Sequence, residues 1–194
     1  MPKIGMEPIR RSALVEATIH EIAEHGGLDV TVSQIARRAG MSSGLAHHYF
    51  GSKEQMFAAA MRHILTLYGA EVRGALIMAR GPRARIEAIV RASFSPHQFH
   101  AEIVSAWLNF YVQAQTSPGA RRLLHVYQRR LRSNLLHEFR QIAGADAPML
   151  ARGLAAMIDG LYIRQALRRG PVDPHAAVDV LMHYIATSLP ETPQ

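Results

Sequence analysis

Twelve residues, Ser42 to Lys53, hold Ser42, Ser43, His47, His48, Tyr49 and Lys53. Hydroxyls, ring nitrogens and an ammonium are the groups that hydrogen-bond phosphate oxygens and base edges. Gly44 and Ala46 among them are small, so a backbone carrying them can come close to a flat or grooved surface. Upstream, Thr31 and the arginines at 37 and 38 could pair with phosphates, and Lys3, Arg10 and Arg11 could serve as a basic arm. The candidate contact set is Thr31, Arg37, Ser42, Ser43, Gly44, Leu45, His47, His48, Tyr49 and Lys53. Covalent chemistry has no comparable support. The eleven histidines include no His-Glu-x-x-His pattern, and no glycine-rich phosphate loop or nucleophile elbow is present. His47 and His48 are adjacent, so on a helix they point about 100° apart and cannot easily share a metal. No metal or cofactor site and no enzymatic activity are expected.

The elements that must position these residues are helices. Leu14, Ala17 and Ile22 recur at helical spacing between about Ile9 and His25, where Gly26-Gly27 stops the run. Thr31-Val-Ser-Gln34 reads as a capping box, opening a short helix over about 32–39 that turns Ile35, Ala36 and Ala39 inward. Gly40 ends it. Ser42 or Ser43 caps a second short helix to about Phe50, and Gly51-Ser52 separates it from a long helix over about 53–79. Two short helices joined at Ala39-Gly40-Met41-Ser42 fit a helix-turn-helix, whose second helix enters the major groove of a duplex. Further helices are expected at about 82–93, 96–115, 118–143, 148–168 and 174–187, each opened by a proline near its first turn. The tail from Pro190 is expected to fray.

Composition agrees and adds limits. Of 194 residues, 48% are hydrophobic and 19% charged, which favours a packed core over disorder. No cysteine is present, which excludes disulfides and fits a reducing cytoplasm. No apolar run reaches the roughly 18 residues a membrane span needs, and a cytoplasmic location is expected. The net charge of +7 suggests a polyanionic partner, yet residues 1–62 carry only +1 of it. Net charge therefore does not locate the nucleic-acid-binding part. The motif does.

Thr31, Ile35-Ala36, Ala39-Gly40, Ser42, Gly44, Tyr49-Phe50, Lys53 and Phe57 together resemble the signature of the TetR family of transcriptional repressors. That resemblance implies an all-α protein of about nine helices. Residues 1–55 would form a three-helix DNA-binding domain and 56–194 an antiparallel helical domain for ligand binding and dimerisation. It also implies a homodimer on double-stranded operator DNA. The opening MPKIGMEPIRR and the segments Ser133–Arg140 (SNLLHEFR) and Gly153–Arg164 (GLAAMIDGLYIR) are similar to the choline-responsive branch of the family. Those repressors control genes that convert choline to the osmoprotectant glycine betaine.

Choline is a quaternary ammonium and cannot donate an N–H hydrogen bond. Such cations are held over aromatic faces. Aromatics make up 7% of the chain, yet Trp107, Phe110 and Tyr111 fall on one expected helix, with Tyr127 and Tyr162 on two others. Asp159 interrupts the apolar run from Leu154 to Ile163 and needs a partner if buried, either an arginine such as Arg164 or a ligand cation. The candidate ligand set is Trp107, Phe110, Tyr111, Tyr127, Asp159 and Tyr162; each could equally be core. Small residues Gly153, Ala156 and Gly160 and the stripe Val178, Leu181, Met182 and Ile185 offer a dimer surface, or alternatively pack within one subunit. Two other readings stay open: an efflux regulator of the same family sensing lipophilic cations, and an effector-independent DNA-binding protein.

Overall fold

The structure, a computed structural model, describes residues 5–27 and 29–189. Among the described residues there are nine α-helices, two short 3-10 turns and no strand. The α-helices are α1 (Met6–His25), α2 (Val32–Arg38), α3 (Ser43–Phe50), α4 (Lys53–Met78), α5 (Pro82–Ser93), α6 (Ala101–Thr116), α7 (Pro118–Phe139), α8 (Ala147–Ala166) and α9 (Pro174–Ser188). Expectations for Lys3 and for the tail from Pro190 lie outside the described residues.

Packing groups the helices into two compact units. One runs through Thr66 and takes in His100–Leu124; the other takes Leu67–Phe99 and the chain from His125 onward. The first unit therefore includes α6, which the expected division at residue 55 assigns to the ligand-binding part. The cause is visible where α6 meets α1. The Ser105 hydroxyl donates to the Ile22 carbonyl at 3.3 Å, and His20 Nδ1 lies 2.7 Å from Glu102 Oε1. The core of this unit is Leu14, Ala17, Ile22, Val30, Ile35, Ala36, Ala46, Phe50, Met56 and Phe57. Each small helix contributes one buried edge, too little to be stable alone.

In the second unit α8 and α9 pack on each other and α5 packs on α9. Val178, Leu181 and Ile185 are buried in the chain's own core. For these three the alternative of packing within one subunit holds, because their apolar area is already removed from water within one chain, whereas Met182 of the same stripe is half-buried. Gly153 serves the same packing, since a Cβ there would lie 3.0 Å from the Tyr184 hydroxyl of α9. Glu138, 2% exposed, is held by Arg85 Nε at 2.7 Å, and Arg85 also donates to the Leu76 carbonyl at 2.8 Å. A buried carboxylate is tolerated here because a cation and hydrogen bonds meet it.

Two expected helices are shorter than their prolines suggest. The segment 96–115 is a 3-10 turn, Pro96–Phe99, followed by α6, with His100 extended between them at φ −58°, ψ 135°. Rings provide the reason: Phe99 lies 6.0 Å from Phe94 and 4.9 Å from Tyr162, centroid to centroid, and this packing outweighs helix continuation. The segment 118–143 stops at Phe139 in a run of turns, and Gly144 follows at φ +51°.

Candidate nucleic-acid interface and effector site

The helix-turn-helix is built from local hydrogen bonds. Thr31 caps α2: its hydroxyl accepts the Gln34 N–H at 3.2 Å, while Gln34 Oε1 accepts the Thr31 N–H at 2.7 Å. The capping box is complete. The turn needs Gly40, which adopts φ +68°, a conformation that costs a residue with a Cβ about 1–2 kcal/mol. Ser42 then caps α3, its hydroxyl accepting the Leu45 N–H at 3.3 Å. Ala46 and Phe50 anchor α3 in the core, and Leu45 and Tyr49 are half-buried. That leaves Gly44, His47 and His48 exposed and Ser43 half-exposed, a single face of the helix.

The polar groups on and near this face differ in how committed they are. Ser43 donates to the Ser33 hydroxyl at 3.0 Å. His47 Nδ1 lies 2.9 Å from the Gly51 carbonyl, so Nε2 is the nitrogen that faces outward. His48 sits edge-on to Tyr49 at 5.5 Å between centroids. Tyr49 is tied back to α1, its carbonyl accepting from Arg11 at 2.7 Å and its hydroxyl from Arg10 at 3.4 Å. Arg11 also covers the Phe50 ring at 4.6 Å, and Lys53 lies 5.8 Å from the Phe57 centroid. The paired arginines part company. Arg37 is exposed, whereas Arg38 donates to Glu21 at 2.5 Å and to Glu24. The Glu21 hydrogen bond and the two glutamate charges hold the Arg38 guanidinium above its ordinary pKa. Arg38 is a strut between α1 and α2, and its fork is filled.

Of the six expected ligand residues, Trp107, Phe110 and Tyr111 lie in the first unit. Trp107 and Phe110 are buried, and the Trp107 and Tyr111 rings are 5.8 Å apart, as neighbours one helical turn apart should be. Tyr127, Asp159 and Tyr162 lie in the second unit. There the Tyr127 hydroxyl donates to Asp159 Oδ1 at 2.8 Å. The partner that Asp159 needs thus includes a neutral phenol. The Tyr162 hydroxyl donates to the Gln98 carbonyl at 2.7 Å.

The structure adds residues absent from the expected set. Tyr68 of α4 lies edge-on to Tyr127 at 5.8 Å and shares a 2.8 Å hydrogen bond with the Ser93 hydroxyl. Glu71, one turn further along α4, accepts from the Gln98 amide at 2.8 Å. Burial, with smaller contributions from the Asp159 and Glu71 charges, pushes the Tyr68 phenol up to about 12. Burial likewise raises Tyr162. Both phenols therefore stay protonated as donors at neutral pH. Tyr68 and Glu71 read as one face of a connecting helix, and Gln98 falls where a continuous helix was expected; only their three-dimensional company marks them. No group of three or more metal-ligating side chains occurs among the described residues.

An all-helical chain that presents a capped, two-helix DNA reader ahead of a larger helical bundle defines a helix-turn-helix transcriptional regulator. Residues 14–60 match the family described as bacterial regulatory proteins, tetR family, and residues 82–190 match the BetI-type transcriptional repressor, C-terminal. The HTH-type transcriptional regulator BetI of Agrobacterium fabrum is 50% identical over 194 residues, covering 100% of this chain and 94% of that protein. The BetI regulator of Brucella suis biovar 1 is 48% identical, covering 100% and 98%. The chain belongs to the BetI-type transcriptional repressors of the TetR family. Among solved structures, a transcriptional regulator from Pseudomonas aeruginosa PAO1 has TM-score 0.82 at 27% identity, over 93% of this chain and 90% of that one. A regulator from Saccharomonospora viridis, solved in complex with choline, has TM-score 0.83 at 23% identity, over 94% and 98%, and supports the fold. The family and these relatives are regulators and not enzymes. Among the described residues no helix is long and apolar enough to cross a membrane.

Proposed function

We propose that the chain represses genes for choline-to-glycine-betaine conversion, binding operator DNA in the cytoplasm as a homodimer and responding to choline. Membership of the BetI-type family supports this, and so does the choline carried by the Saccharomonospora neighbour. The observation that carries the ligand half is the Tyr127–Asp159 hydrogen bond beside Tyr68, which joins a carboxylate to aromatic faces in one cluster. A quaternary ammonium is held by that combination, each aromatic face contributing roughly 0.5–2 kcal/mol. Trp107, Phe110 and Tyr111 stand as further candidates, and Tyr162 steadies the same cluster through Gln98.

For the DNA half, Ser43, Gly44, His47 and His48 form the reading face, with Leu45 and Tyr49 at its edge. Thr31 and Ser42 set the two helices through their caps, and Arg37 and Lys53 pair with phosphates. Two copies of α3 would enter successive major grooves about 34–36 Å apart. The dimer surface is the outer side of α8 and α9, where Met149 and Val180 are 67% and 50% exposed and Ala156 and Gly160 leave room for a close helix. Choline favours an arrangement in which that spacing is wrong, so occupancy releases the repressor.

The test is a titration of operator-length DNA with protein, with and without saturating choline, at one salt concentration. Choline should weaken binding by about 5–150-fold, the usual range for a coupled switch. Unchanged affinity would remove choline as the effector. A monomer unable to discriminate operator from random duplex would remove the repressor mechanism.

A further inference from the structure

Asp159 is the carboxylate that sequence points to, yet a second one belongs to the same circuit. From Asp159 the connections run to the Tyr127 hydroxyl at 2.8 Å, then ring edge to ring at 5.8 Å to Tyr68. One turn along α4 stands Glu71, which accepts from the Gln98 amide at 2.8 Å. The Gln98 carbonyl in turn accepts from Tyr162 at 2.7 Å, and Tyr162 is one turn from Asp159 on α8. Helices α4, α7 and α8 and the 3-10 turn thus close a loop of six residues, in which phenols and an amide are interleaved with two carboxylates. Glu71 makes no ion pair among the described residues, and the group that meets it is the neutral amide of Gln98, itself 3% exposed. Neutral donors aim a carboxylate without cancelling its charge. An ion pair would have cancelled it, as Arg85 does for Glu138.

A negative charge kept on the aromatic cluster by Glu71 does more than attract a cation. It repels any ligand that carries a carboxylate of its own. Choline and glycine betaine share the same trimethylammonium head, and differ in that the second ends in a carboxylate where the first ends in a hydroxyl. An aromatic cage alone treats the two heads alike. We infer that Glu71, aimed by Gln98, is a second anionic arm of the effector site and makes it accept simple quaternary ammonium alcohols while rejecting zwitterions that bear a carboxylate. The inference rests on the choline reading above and adds the residue that sets selectivity. A repressor built in this way senses the substrate of the conversion it controls and ignores the product. Glu71 is half-buried, and like charges set against each other in an interface are strongly disfavoured.

The experiment is calorimetric titration of the full-length protein, wild type and Glu71→Gln, with choline, tetramethylammonium, glycine betaine and 3,3-dimethylbutanol, the uncharged isostere of choline. Glu71→Gln should bind choline and tetramethylammonium about tenfold more weakly and leave the neutral isostere within twofold. The choline-to-betaine affinity ratio should fall at least tenfold, and operator binding without ligand should be unchanged. If Glu71→Gln fails to fold, Gln98→Met removes the donor that aims the carboxylate and should narrow the same ratio. A folded variant with an unaltered ratio overturns the inference, as does equal weakening of charged and neutral ligands, which marks a packing role. If wild type binds no quaternary ammonium at all, the choline reading falls first and takes this with it.

Discussion

Arg37 and Arg38 are adjacent, carry the same charge and occupy the last turn of the same helix, yet physics gives them different work. Arg38 commits its donors to Glu21 and Glu24, so replacing it breaks a strut and leaves Glu21, 5% exposed, without its cation. Arg37 is exposed and has its fork to offer. Arg37→Ala should weaken operator binding uniformly across related sequences, with the melting temperature unchanged. It should also shallow the log–log salt dependence by about 0.9 for each phosphate that the side chain no longer neutralises. Arg38→Ala should lower the melting temperature and leave the salt slope alone. Thermal melts and a salt series on both variants decide between these roles, and a reversed pattern would reassign them. Tyr68 supports a prediction of another kind. Its phenol titrates near 10 in an unfolded chain and about 12 in the fold. Between those values the native state holds a proton that the unfolded state releases, so stability falls as pH rises from about 10 to about 12. Tyr68→Phe removes the Tyr68 share of that dependence and leaves that of Tyr162, so wild type should lose up to ~3 kcal/mol more than the variant over this interval in denaturant melts. Parallel curves would show that the phenol is better solvated than its surroundings suggest.

At the scale of the element, what could be read ahead of the structure is what is settled locally. The limits of α2 and α3 follow from Thr31, Gln34, Gly40 and Ser42, because a cap is an agreement among residues three apart. Thr31→Ala should accordingly cost about 1 kcal/mol in the first unit. Gly40→Val should cost more, since a β-branched residue resists φ +68°. Both should reduce operator affinity in proportion to the fall in the α3 population, and a glycine substitution at Thr31 should be milder than alanine; denaturant melts followed by α-helical circular dichroism measure each. Elements decided by distant partners were harder to see. Nothing near His100 announces a break, because the cause is the ring of Tyr162, more than sixty residues away in the chain. Pro96 and Phe99 look like an ordinary helix start. The stripe Val178, Leu181 and Ile185 illustrates a deeper ambiguity: helical periodicity says that a face is buried without saying against what. Its burial in the chain's own core could not be told from burial against a second subunit until α5 and α8 were placed against it. The proposed effector cluster suffers the same way. Tyr127 and Asp159 are individually conspicuous, whereas Tyr68, Glu71 and Gln98 acquire meaning only when α4, α7 and α8 bring them together.

At the scale of the whole molecule, the charge of +7 lies mostly outside the DNA reader, with residues 1–62 carrying +1. In the proposed mode of binding, the charge that attracts DNA is spread over the chain, while sequence choice rests on the few groups of α3. Long-range attraction brings the protein to DNA and is screened by salt within about 8–10 Å; it cannot by itself make choline matter. The proposed switch has to arise from a difference in choline affinity between operator-bound and free protein, and thermodynamics then fixes its reverse. If choline weakens operator binding by some factor, operator must weaken choline binding by the same factor. Calorimetric choline titrations in the absence and presence of saturating operator should therefore give dissociation constants whose ratio equals that of the operator affinities measured without and with choline. Asp159→Ala should remove both ratios together while leaving operator affinity without ligand intact, because the carboxylate is bonded to Tyr127 within the second unit whereas α3 belongs to the first. Choline at 100 times its dissociation constant should also raise wild-type stability by about 2.7 kcal/mol and leave Asp159→Ala unmoved. Choline stabilisation of wild type without the reciprocal effect of operator would mean that the cation binds away from the coupled equilibrium, and the repressor's true effector would have to be sought among other ligands.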